Sequence, residues 1–222
     1  MLRLNSGNPC AILEKMKIKI LSAALLGLFY ANSLAMSYKI FAGISTSKYL
    51  FSQEITEVEH KQRTGFSGGL GISFQLKNKI SLEANGIFNS GGAKTQIFYA
   101  PDMRLSGIYR NTNLAIPIII KYRFLPLSTP YLGMGPEFIY VLSHDLEILE
   151  MEEKYNVLDN TRRLNLGLTL VAGYEYKINN LLLFAELRFN HEFTNLLKNT
   201  PGAIKREAWA FYIGLAMKTH GD

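Results

Sequence analysis

Eight ionisable residues stand out because each falls on the polar side of a stretch that otherwise alternates apolar and small residues: Glu83, Lys121, Arg123, Glu137, Arg163, Glu175, Glu186 and Arg188. Four acids and four bases in such surroundings have two chemical uses. They can face water unpaired, as on the outer face of a soluble eight-stranded barrel. They can also neutralise one another, because an ion taken out of water without a partner costs several kcal/mol. The even balance of signs points to pairing. The residues are therefore read as a charge network lining a narrow interior.

The remaining candidates for chemistry are weaker. The four histidines (His60, His144, His191, His220) show no metal-ligand spacing. The glycines from Gly65 to Gly71 lack the Lys-Ser/Thr and the helix of a phosphate loop, and they alternate with strand residues, so they read as small packing positions. The segment 143–161 carries Asp145, Glu147, Glu150, Glu152 and Glu153. It reads as an external acidic loop without the pattern of a calcium site, able to face Lys198, Lys205 and Arg206 near the last loop. His191-Glu192-Phe193-Thr194 loosely resembles the His/Ser pair of lipid A deacylase barrels. Phe193 holds the place of that serine, and Thr194 has the opposite parity, so no nucleophile is within reach of a base. No catalytic, cofactor or metal site is expected.

The elements that position the charges are strands. Successive side chains of a strand point to opposite faces. In the hairpin 113–142 the first arm sets Leu114, Ile116, Ile118, Ile120, Tyr122 and Phe124 against Asn113, Ala115, Pro117, Ile119, Lys121 and Arg123. The second arm repeats the scheme with Leu132, Met134, Phe138, Tyr140 and Leu142 on the apolar side and Glu137 on the other. Similar alternation predicts eight strands, at about 38–49, 64–76, 80–89, 110–124, 130–142, 162–176, 181–191 and 206–218. The arms are about twice the usual strand length of soluble proteins and suit a tilted crossing of a bilayer. Short turns follow the second, fourth and sixth strands, and longer segments follow the odd ones. That asymmetry is the one found in barrels with short periplasmic turns and long external loops.

Residues 1–35 read as an upstream segment and a cleavable signal peptide, with Met16 as the start, Ile20–Phe29 as its apolar core and cleavage after Ala35. Domain 36–222 then keeps 20 basic and 17 acidic residues, once Arg3, Lys15, Lys17, Lys19 and Glu14 are removed. A net charge of +3 gives no argument for nucleic acid. The sole cysteine, Cys10, lies upstream of Met16, so no disulfide is expected. A mean hydropathy of +0.05 with 12 Tyr and 13 Phe fits a membrane barrel, whose apolar residues alternate with polar ones beneath aromatic girdles.

Leu114–Phe124 (LAIPIIIKYRF) followed by Pro130–Pro136 (PYLGMGP) resembles the PorT-like outer-membrane β-barrel family. The stretch 173–190 is similar to a late hairpin of that family. The resemblance implies an eight-stranded barrel integral to the bacterial outer membrane, with some members serving protein secretion. The fold expected from all this is all-β: an eight-stranded antiparallel up-and-down transmembrane barrel. The expected role is non-enzymatic, whether structural, interaction or export-accessory. A narrow pore for small solutes and, further off, a lipid-modifying enzyme are the alternatives. The expected partners are outer-membrane lipid, lipopolysaccharide and envelope or secretion proteins, with the barrel itself monomeric.

Overall fold

The computed structural model describes residues 36–51, 58–100, 103–125, 128–198 and 204–218. The expected leader, 1–35, and the loop at Pro201-Gly202 lie outside them. The described residues form nine strands: β1 (Met36–Phe51), β2 (Val58–Lys77), β3 (Ile80–Ala100), β4 (Met103–Arg123), β5 (Thr129–Ile148), β6 (Glu153–Asn156), β7 (Leu164–Ile178), β8 (Leu181–Glu192) and β9 (Ile204–Lys218). Each pairs antiparallel with its neighbours, β5 with β7 across the outer loop, and β1 closes on β9. Eight strands thus make a ring without an open edge, which satisfies the backbone groups that lipid cannot. β6 is a short addition that pairs only with the far end of β5.

The alternation of side chains sorts the two faces. Along β5 and β8 buried and exposed residues alternate almost without a break. Ile40, Leu70, Ile120, Met134, Leu170 and Ile213 stand exposed on the outside. A soluble protein would not show so much apolar surface; here lipid covers it. Tyr38, Tyr122, Tyr174 and Tyr176 mark the turn-side rim of this band, and Phe66, Phe193 and Trp209 its other rim. At the tight turn between β7 and β8, Asn179 takes a positive φ of 53°, a conformation that asparagine tolerates and that two-residue hairpin turns require.

β2 to β5 run to 20 or 21 residues, well past the expected ends. At about 3.3 Å per residue and a tilt near 40°, they rise about 50 Å, twice the roughly 25 Å apolar band. Of the segment 90–109, expected as a long connection, residues 90–100 and 103–109 instead form the outer half of β3 and β4. β8, with 12 residues, rises only about 30 Å by the same arithmetic. The outer rim is tall on one side and low on the other.

Candidate functional site

Inward positions of β1, β3, β4, β5 and β8 meet in the turn-side half of the lumen. Lys39 Nζ lies 2.8 Å from Glu83 Oε2 and 4.0 Å from Glu186 Oε2. Lys121 Nζ lies 2.8 Å from Glu83 on the neighbouring strand and donates across the lumen to Glu186 at 3.0 Å. Arg188 pairs with Glu186 on its own strand and sits 3.6 Å from Glu83. The Tyr131 hydroxyl donates to Glu186 at 2.7 Å, and Asn85 donates to Glu83 at 2.9 Å. All five ions are almost completely buried. The cluster holds three cations and two carboxylates, so it carries one net positive charge. Aromatic rings take part of that excess: Lys39 sits 4.2 Å from the Phe184 ring, Lys121 4.1 Å from Tyr131, and Arg188 about 5 Å from Phe41 and Tyr212.

Two further layers flank this one. Towards the turns, Arg123 Nε donates to Glu175 at 2.7 Å and its Nη1 to Gln75 and Ser81 at 2.9 and 3.1 Å. Towards the loops, Phe41, Ile87, Ala115, Ile139 and Tyr212 fill the bore with apolar atoms. Beyond them Arg206 pairs with Glu192 at 2.7 Å. Higher still, the buried His144 ring lies between the Tyr49 hydroxyl, 3.2 Å from Nε2, and the Thr161 hydroxyl, 2.8 Å from Nδ1. This ties β1 and β5 to the segment before β7.

The structure places Glu83, Lys121, Arg123, Glu137, Glu175, Glu186 and Arg188 inside the barrel. Two expectations need correction. Arg163 is exposed, because β7 begins one residue later, at Leu164. Glu137 does not pair with Lys121 or Arg123. It sits opposite Pro117, whereas Lys121 faces Gly133; four residues of strand, about 13 Å, separate the two levels. Its Oε1 instead accepts from Asn190 at 3.3 Å, and its Oε2 has no hydrogen-bond partner among the described residues.

The sequence reading missed Lys39, Glu192 and Arg206. Lys39 alternates with Ser37 and Phe41 opposite Tyr38 and Ile40, a signal legible in the first strand. Arg206, expected to face the acidic loop, is instead carried inward by β9. The acidic loop is in turn occupied by its own neighbours. Asp145 pairs with Lys154 at 3.4 Å and Glu147 with Arg110 at 2.6 Å. The Ser106 N–H donates to both Glu150 oxygens at 2.8 Å, which holds that exposed carboxyl below its usual range. Glu153 accepts from Tyr155, and Glu152 is exposed. His191 lies on the outer wall, 3.1 Å from Glu207, while Thr194 donates to Asn165; the two belong to separate contacts.

Solved outer-membrane proteins are similar to this chain. OprG from Pseudomonas aeruginosa is 15% identical, the match covers 85% of this chain and 98% of that one, and the TM-score is 0.52. Neisserial surface protein A (16% identity, 82% and 97% coverage, TM-score 0.49) and Ail of Yersinia pestis (13%, 82% and 98%, 0.42) also match. No curated protein matches the sequence. The family described as outer membrane protein beta-barrel domain matches residues 30–198, about three quarters of the chain. With an apolar outer wall, a closed eight-stranded ring and that match, the chain belongs to the outer membrane protein β-barrel domain family and is an integral barrel of the outer membrane.

Proposed function

We propose that this barrel is a closed, non-enzymatic scaffold of the outer membrane, of the PorT-like kind, with a structural or export-accessory role exerted through its rims. The observation that carries the reading is the Lys39–Glu83–Lys121–Glu186–Arg188 cluster. It bridges the bore with fully buried side chains from four strands. A solute on its way through would have to separate these pairs, and breaking one buried pair costs on the order of 3–5 kcal/mol. The narrow-pore reading is correspondingly weaker. The barrel works as a monomer in this reading, since its ring is complete within one chain. Its partners are lipid, lipopolysaccharide and envelope or secretion proteins that meet the tall β2–β5 wall.

Purified protein in planar bilayers tests the closed state: the current should stay at the lipid baseline. Stepwise openings that persist across preparations would replace the scaffold reading with the pore. Mild cross-linking in native membranes, followed by identification of the adducts, would then name the partner.

A further inference from the structure

The turn-side mouth of the lumen contains a cavity of about 320 Å³. Ser37, Ser73, Arg123, Thr129, Lys177 and Lys218 are among its lining residues. The next inward residues along three of its walls are Lys39 on β1, Lys121 on β4 and Tyr131 on β5. The cavity therefore ends on the ion cluster and opens only towards the turns. It is a blind pocket, and whatever enters must leave by the same mouth.

Its charge is unbalanced. Three cations, Arg123, Lys177 and Lys218, line it with one carboxylate, Glu175. Arg123 occupies that carboxylate from two nitrogens, at 2.7 and 3.4 Å. Among the described residues no ion pair involves Lys177 or Lys218, although both sit on inward positions of β7 and β9. Two exposed lysines thus stand at the mouth of a small chamber that Ser37, Ser73 and Thr129 also line. A volume near the lower end of ligand pockets suits a small molecule or the end of a chain. We propose that this pocket binds a small anion whose carboxylate or phosphate oxygens take the Lys177 and Lys218 ammonium groups. This goes beyond the scaffold reading, because it gives the turn side a ligand of its own.

The test is calorimetric titration of the full barrel in detergent with four probes: succinate, inorganic phosphate, triglycine and triglycinamide. Wild-type protein should bind at least one of the first three saturably, and more weakly as salt rises. Lys177→Gln and Lys218→Gln should each weaken that binding about tenfold, the scale of one charge-assisted hydrogen bond. Lys94→Gln, on the outer part of β3, should leave it unchanged. Trp209 emission reports that each variant is folded. The probe that binds assigns the source: triglycine a peptide C-terminus, succinate a free acid, phosphate a phosphoryl group. The proposal is overturned if none of the three binds, if binding survives both lysine substitutions, or if triglycinamide matches the probe that binds.

Discussion

The uneven charge of the buried cluster makes a sharp prediction. Three cations share two carboxylates, so removing an acid and removing a base are not equivalent. Glu186→Gln leaves Lys39, Lys121 and Arg188 around Glu83 alone, with two excess positive charges in a dry interior. Gln also keeps only one acceptor oxygen and turns the other into a donor, so it cannot serve Lys121, Arg188 and the Tyr131 hydroxyl together. The cost should lie near the top of the 3–5 kcal/mol range for an uncompensated buried charge, about 5 kcal/mol. Lys39→Met leaves two cations with two carboxylates. It loses one charge-assisted bond and relieves repulsion from Lys121, for a net cost of about 1–2 kcal/mol. Combining the two restores the original excess of one, so the double variant should be more stable than the sum of the singles by about 1 kcal/mol or more. Reversible urea unfolding in lipid vesicles measures this, with the sole tryptophan, Trp209, as probe. The two single variants should differ in midpoint by roughly 1 M or more. If Glu186→Gln costs no more than Lys39→Met, water screens the cluster and the reasoning from net buried charge fails.

Three other outcomes are expected. A side chain at Gly173 would run into the end of the Tyr131 ring with its hydroxyl, and into the Ala185 carbonyl, so Gly173→Ala should push Tyr131 off Glu186 and cost about 1–3 kcal/mol; the same change should cost less in a Tyr131→Ala background, and an equal cost there would show that the Tyr131 contact is not the cause. Leu170 lies outside among lipid, and Leu170→Lys should destabilise by about 2–4 kcal/mol, whereas an unchanged urea midpoint would place it elsewhere. Single cysteines at Glu152 and Lys198, in a Cys10→Ser background, should react with an impermeant thiol reagent on intact cells while cysteines at Asn78 and Asn180 stay protected; the opposite pattern would invert the topology.

Parity in the sequence carries much of the architecture because a closed barrel imposes it on every strand. Leu164, Leu166 and Leu170 against Asn165, Thr169 and Val171 already separate outside from inside. Strand ends are different. Above the apolar band water bathes both sides of the wall, so nothing enforces alternation, and Lys61, Lys94 and Arg110 look like loop residues although they sit in β2, β3 and β4. The pairing of charges was also hidden, since parity says which face a residue takes but not its level. Glu137 and Lys121 share the lumen, yet register sets them apart, while Lys121 and Glu186, 65 positions apart in sequence, touch.

The seam between β1 and β9 has a consequence for the order of assembly. Ile40 lies opposite Leu215, so the seam joins nearly the two ends of the barrel sequence and must zip after the local hairpins. Lys39 reaches Glu83 through the neighbouring hairpin, but its approach to Glu186 needs the seam shut. Until then the β8 carboxylate remains hydrated, and the bilayer interior resists taking up the unfinished wall. Closure and charge neutralisation thus become one event, late on the path. Substitutions at Glu186 should accordingly speed unfolding far more than they slow folding, a split that stopped-flow kinetics in vesicles would reveal.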